Sequence, residues 1–227
     1  NNIAILNGTS WSALGSGTNG SVAKIAIDNN KIYVGGAFTS ANGILVNNIA
    51  VWNNGWKSLK EQTSTQLGVN NEVREIVISD TGIVFVGGNF DTAGGKSAPR
   101  IATWDGTTWG TLGSGTSGFV EAIAIKDNYV YVGGNFNLAS GQTVNRIARW
   151  NKSSSQWEKL GNGLSGSVND ITIDNDNVYV GGNFVFASNE VSKSVIVNNL
   201  ARWSLDVGWQ PLGEKLQVGS NNIVNAI

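Results

Sequence analysis

The side chains able to do chemistry in this 227-residue chain are its oxygen and nitrogen groups: sixteen carboxylates and fifteen lysines and arginines, with no histidine, cysteine or methionine. Without imidazole there is no base poised at neutral pH and no imidazole metal ligand. Without a thiol there is no disulfide framework, thiol nucleophile or thiolate metal site. Carboxylates alone could hydrolyse a glycosidic bond if two of them converged across a pocket. The acids fall mostly in turns and at strand ends, and no pair stands out. The run Asp174-Asn175-Asp176-Asn177 offers oxygen ligands of the kind calcium takes, but it is far shorter than a dedicated calcium loop and reads first as a solvated hairpin turn. The glycine doublets have no helix behind them to make a phosphate cradle. No cofactor and no metal site is expected.

Charged residues make up only 14% of the chain against 41% hydrophobic, with a net charge of -1. The surface is therefore polar but mostly uncharged, built from Asn, Ser, Thr and Gly. No block of like charge marks a nucleic-acid footprint or a basic membrane face. No apolar stretch approaches the ~20 residues of a membrane span. Low charge and absent cysteine lean towards an extracellular or cell-surface protein, although no signal peptide is present. The sequons at Asn7, Asn19 and Asn151 matter only in a eukaryotic secretory pathway.

The elements that position these groups are repeated. Val-Gly-Gly occurs at Val34-Gly35-Gly36, Val86-Gly87-Gly88, Val132-Gly133-Gly134 and Val180-Gly181-Gly182, at intervals of 52, 46 and 48 residues, and Phe38, Phe90, Phe136 and Phe184 follow in register. Three further segments recur: V-x-x-I-x-I (Val22–Ile27, Val73–Ile78, Val120–Ile125, Val168–Ile173), (N/R)-(I/L)-A-x-W ending at Trp52, Trp104, Trp150 and Trp203, and W-x-x-L starting at Trp11, Trp56, Trp109, Trp157 and Trp209. Four short antiparallel strands per unit define a propeller blade. The predicted fold is all-β: a β-propeller of four-stranded antiparallel blades, four complete repeats and a split partial fifth, open to being part of a larger propeller. All nine tryptophans fall on repeat positions and are expected to pack between neighbouring blades, each burial contributing roughly 2–3 kcal/mol. The doublets Gly35-Gly36, Gly87-Gly88, Gly133-Gly134 and Gly181-Gly182 are expected to permit close backbone approach and a positive φ before the next loop.

The order of "KIYVGGAF…NNIAVWNNGWKSL" and "NYVYVGGNF…NRIARWNKSSSQWEKL" resembles kelch repeats, with a Gly-Gly doublet closing the second strand, an aromatic on the third and Trp on the fourth. The variant VGGNF with NxIAxWNGxxWxxLGSG is similar to bacterial delta-60-type propeller repeats and to the extracellular propellers of fungal Rax2-like proteins. The resemblance covers essentially the whole chain. It implies scaffolds and binding modules, and occasional oxidases. The copper radical oxidases of kelch type need His and a Tyr–Cys cross-link, so that activity is not implied here. Asp105-Gly106-Thr107-Thr108-Trp109 and Asn7-Gly8-Thr9-Ser10-Trp11 resemble the structural Asp-box of sialidase blades, without a proposable arginine triad.

The expected division is residues 1–19 (third and fourth strands of a split blade), 20–70, 71–117, 118–165 and 166–221 (blades), and 222–227, where Val224-Asn225-Ala226-Ile227 matches the start of a first strand. Leu6 stands where Trp is usual. Either the two ends close a fifth blade that lacks its second strand, or the chain is a window on a longer propeller; ending in mid-motif with no initiator Met favours the second.

Function is expected in the loops between second and third strands. Val185–Asn198 is the longest and unusually apolar, making Val185, Phe186, Asn189, Glu190, Lys193, Val195 and Ile196 the candidate interaction residues, against the plain alternative of a tolerated insertion. The leading expectation is a non-enzymatic secreted or surface module for protein interaction, adhesion or structure, with a protein or glycan partner at the variable loops and assembly into an oligomer open. The runner-up is a lectin-like propeller with equivalent pockets between blades. The third is a hydrolase or lyase using Asp170, Glu75 and Lys24 in the central channel.

Overall fold

The computed structural model describes residues 2–189, 194–212 and 219–227. The chain forms two compact units, Asn1–Leu112 and Gly113–Ile227. Among the described residues there are strands, turns and bends but no helix, and hence none long and apolar enough to cross a membrane.

The first unit holds two four-stranded antiparallel sheets. Blade I runs Ser21–Asp28, Lys31–Ala37, Ile49–Trp52 and Trp56–Ser58, and blade II runs Val73–Ile78, Val84–Gly88, Ile101–Trp104 and Trp109–Thr111. A two-stranded hairpin, Ala4–Asn7 with Ser10–Ala13, precedes them. The second unit holds blade III (Phe119–Lys126, Tyr129–Asn135, Ile147–Asn151, Gln156–Lys159) and blade IV (Ser167–Asp174, Asn177–Asn183, Leu200–Ser204, Gly208–Pro211). In every blade the strands neighbour one another in chain order, as in the blades of a propeller. Tight turns set this up: Asn29, Asp127 and Asn175 take φ values of 52°, 49° and 52°, which Asn and Asp tolerate better than other side chains.

Each first strand carries a β-bulge at one position, between Val22 and Lys24, Val120 and Ala122, and Val168 and Asp170, with the same shift in blade II opposite Gly87 and Gly88. The extra residue bends the strand at the point where the Gly-Gly doublet pairs with it. A Cβ on Gly35 would lie 2.4 Å from Cγ1 of Val73, one on Gly133 would lie 2.4 Å from Cγ1 of Val168, and one on Gly181 would lie 2.6 Å from Cγ1 of Val224. The second glycine abuts its own blade instead: a Cβ on Gly36, Gly134 or Gly182 would fall 2.0–2.1 Å from a first-strand carbonyl. Close approach therefore explains the doublet. The expected positive φ does not occur; none of these glycines adopts it, because the doublet still lies inside the strand.

Each unit has a core between its two blades. Tyr33, Ile49 and Leu59 pack with Val73, Ile76, Val86 and Trp109 in the first. Tyr131, Ile147 and Leu160 pack with Val168, Ile171, Val180 and Trp209 in the second. Trp56, Trp109, Trp157 and Trp209 are buried, and each faces the tryptophan of the third strand across the ladder. Where the rings of such a pair meet, their centroids lie 5.2–5.5 Å apart. Trp11 departs from the packing expectation: it is 71% exposed, because its hairpin has only two strands and Leu6 opposite it.

Candidate functional site

The connections between second and third strands fold into short hairpins where loops were expected. They pair Ser40–Ala41 with Ile44–Leu45, Thr92–Ala93 with Lys96–Ser97, Leu138–Ala139 with Gln142–Thr143, and Phe186–Ser188 with Ser194–Ile196. Two backbone amides at the start of each hairpin donate to one polar side chain three residues before the blade's first Val. The acceptors are Asn19 (from Thr39 and Ser40), Asn70 (from Asp91 and Thr92), Ser117 (from Asn137 and Leu138) and Ser165 (from Val185 and Phe186). The sequence signal of this clamp is the fixed spacing of an Asn or Ser three residues ahead of Val22, Val73, Val120 and Val168, a position outside the four strand motifs.

Blade IV carries the most elaborate hairpin, since Gly163–Leu164 adds a third strand to it. Of the seven candidate residues, Val185, Phe186 and Ile196 stand exposed on this small sheet. Two others do not share that surface. Val195 alternates inward against the core of the unit, as strand periodicity requires. Asn189 turns under the blade, where its Oδ1 accepts the backbone N–H of Trp209 at 2.6 Å and its Nδ2 donates to the Trp209 carbonyl. Glu190 and Lys193 lie outside the described residues. Leu138 stands exposed on the matching hairpin of blade III.

At the opposite end of the same sheets, blades III and IV enclose a cleft of about 270 Å³ lined by Tyr129, Tyr131, Arg149 and Trp203, with Asp127, Asp176 and Asp206 at its mouth. The Arg149 guanidinium lies 4.1 Å from the Tyr129 ring centre and 5.4 Å from that of Trp203, and it pairs with Glu158 at 2.7 Å. Burial opposes its charge, but hydrogen bonds with Tyr131 and Glu158 outweigh that and hold it protonated above the ordinary arginine value. In the first unit a cleft of about 240 Å³ sits at the corresponding place, lined by Lys31, Tyr33, Val51, Asn53, Lys57 and Trp104. Position repeats between the clefts while chemistry does not: Lys31 and Val51 replace Tyr129 and Arg149.

The carboxylates named for channel chemistry are engaged across neighbouring elements, and of the three residues named, Lys24 of blade I and Glu75 of blade II meet. Glu75 is buried, pairs with Lys24 at 2.8 Å and accepts the Ile76 N–H. Asp170 accepts the N–H groups of Ile171 and Ile227. The Asp105 carboxylate accepts from the backbone and hydroxyl groups of both Thr107 and Thr108, which hold it well below the usual carboxylate range. It shapes the turn before Trp109. Glu61 also has its carboxyl lowered, by Lys96 and by the Trp109 N–H, and so caps blade II as Asn189 caps blade IV. Among the described residues no group of three or more carboxylates gathers in the manner of a metal site.

These sheets, their doublet-on-valine packing and their repeated clamps define a β-propeller. Within that class, the family profile of the Rax2 C-terminal beta propeller domain matches residues 111–207, covering blade III and the first three strands of blade IV, and that of a beta-propeller domain of unknown function (DUF5122) matches residues 28–50. No curated protein matches the chain. Among solved structures it is similar to the extracellular domain of a one component system from B. thetaiotaomicron, with a TM-score of 0.61, 12% identity and coverage of 95% of this chain and 26% of that one. The extracellular domain described as a hybrid two component system of that organism gives 0.57 and 14%, over 90% of this chain and 24% of that one. The computationally designed Ika8 protein gives 0.51 and 18%, over 91% and 64%. The chain thus spans about a quarter of the length of the two extracellular domains, and these likenesses speak for the fold.

Proposed function

We propose that this chain is a non-enzymatic, secreted or cell-surface propeller module of kelch-like blades that contacts a protein partner through the hairpin end of blades III and IV. The observation that carries the reading is the blade IV hairpin, which holds Val185, Phe186 and Ile196 in solvent on a sheet clamped by Ser165. Apolar anchors on a fixed platform lose little freedom on binding, which favours affinity. An extracellular setting is supported by the low charge and by the likeness to extracellular domains. The Gly-Gly doublet followed in order by two tryptophan strands supports the kelch-like grouping.

A lectin-like reading draws on the two clefts at corresponding positions. It ranks second because equivalent sugar sites need equivalent linings. The test immobilises the whole chain and a Val185→Ser/Phe186→Ser/Ile196→Ser variant of equal stability against surface proteins of the source cells. Retention of a protein by the first and its loss from the second is expected. Equal retention would overturn the assigned face, and binding only to a glycan array would move the reading to the clefts.

A further inference from the structure

In blades II and IV, polar side chains fill the space between the hairpin and the fourth strand. In blade II Glu61 accepts the Trp109 N–H at 2.7 Å, and Lys96, paired with Glu61, donates to the Trp109 carbonyl at 3.3 Å. In blade IV Asn189 makes both of these contacts to Trp209. Blade III carries Ser114 and Gln142 where blade II has Glu61 and Lys96, counting two residues from Leu112 and three from Ala139. A hydroxyl and an amide thus stand in for two charges, and a cleft of about 310 Å³ lies beside Trp157.

Its walls are the hairpin (Ser140, Gln142), the turn between third and fourth strands (Ser155, Gln156) and the paired rings of Trp150 and Trp157, 5.4 Å apart. No charged side chain lines it. The turn is the longest of its kind, with six residues between its tryptophans against three to five in the other blades. It is also well fixed. Asn151 Oδ1 accepts the N–H groups of Ser153 and Ser154 and the amide of Asn128, while the Ser153 hydroxyl donates to Asn128 Oδ1. On the hairpin, Ser140 Oγ accepts the Ser114 N–H at 2.9 Å. The side chains of Gln142, Ser155 and Gln156 are exposed and hydrogen-bond to none of the described residues.

We propose that this cleft binds a single neutral pyranose, with Gln142, Ser155 and Gln156 on its hydroxyls and Trp150 against its apolar face. An uncharged lining gives an ion no partner, and a wholly apolar ligand would leave the amides and hydroxyls unused. Those groups both donate and accept, as sugar hydroxyls do, and the half-buried Trp150 supplies the apolar surface that a ring of C–H groups needs. The volume lies at the lower end of the roughly 300–1,000 Å³ of small-molecule sites, which suits one ring rather than a chain. A fixed turn lowers the cost of ordering the site on binding. One such cleft needs no copies on the other blades, and it stands apart from the contact assigned to Val185, Phe186 and Ile196.

The test follows the isotopically labelled indole nitrogens of the whole chain by NMR, with Trp150→Phe assigning the Trp150 signal. The probes are glucose, galactose, mannose and N-acetylglucosamine, each as the free sugar and as its methyl glycoside. Saturable displacement of the Trp150 signal by at least one of them, with a Kd of about 1 mM, is expected. Gln142→Ala/Gln156→Ala is expected to weaken it by roughly tenfold or more. Both positions are exposed, and circular dichroism checks that the fold is kept. Binding of the methyl glycoside as well as the free sugar would assign the ligand to a glycan chain end, and binding of the free sugar alone to a soluble sugar; either bears out the cleft. No displacement at about 10 mM of any sugar, displacement unchanged in the double variant, or an equal response to cyclohexanol would each overturn the proposal. Capture of a protein by the blade IV hairpin is a separate readout, so either proposal can fail alone.

Discussion

Trp209 donates its indole N–H to the carbonyl of Leu160, 49 residues earlier, at 2.8 Å in the buried centre of the second unit. The bond ties the fourth strand of blade IV to the end of the fourth strand of blade III, and Trp56 to Leu14 and Trp109 to Leu59 repeat it in the first unit. Trp209→Phe removes one of the two donors to that carbonyl, which keeps the Gly163 N–H at 3.1 Å, and is expected to cost about 0.5–1.5 kcal/mol in urea unfolding. Trp11→Phe, exposed on its hairpin, is expected to stay within about 0.5 kcal/mol.

Gly133 and Gly141 separate two reasons for glycine. A Cβ at 133 would strike Val168, so Gly133→Ala overpacks the interface between blades III and IV and is expected to cost about 1–3 kcal/mol or more. Gly141 has φ +81° and open space around it, so Gly141→Ala carries only the left-handed penalty of about 1 kcal/mol. Shortening the obstacle with Val168→Ala is expected to make Gly133→Ala less costly, a coupling that a double-mutant cycle measures.

Asn189→Ala removes the acceptor of the Trp209 N–H and is expected to lower stability by about 1–3 kcal/mol. With its side chain under the blade, the substitution acts through folding rather than on the exposed hairpin surface. Partner retention normalised to folded protein is expected to stay unchanged, in contrast to Phe186→Ser.

Asp105 gives a pH signature. Its carboxyl is lowered in the folded chain by Thr108 and Thr107, so it binds its proton more readily when unfolded. The stability it contributes is present above the unfolded value of about 3.9 and is lost as pH falls towards the lower folded one. Wild type and Asp105→Ala are therefore expected to differ by a constant amount around neutrality and to converge below about pH 4 in thermal melts.

Much of the blade was legible because its rules are local and repeat: alternation, turn residues and tryptophan spacing fall at fixed intervals. What escaped was set by neighbours. The doublet glycines reveal their reason only against Val73, Val168 and Val224, which lie tens of residues away in sequence. Arg100 and Arg146 adopt φ of 66° and 74° before their third strands, where Asn48 and Asn199 show the same turn with a side chain suited to it. In the candidate loop, apolar composition pointed to a surface, but strand alternation sent Val195 inward and hydrogen bonding took Asn189. Those two outcomes depend on a hairpin that composition alone does not announce.

The most direct measurement places a benzoylphenylalanine photocrosslinker at Phe186 in one sample and at Asp176 in another, at opposite ends of blade IV, and irradiates each against intact source cells. Protein adducts from position 186 with none from 176 are the expected result. Adducts from 176 alone, or equally from both positions, would contradict recognition through the hairpin end.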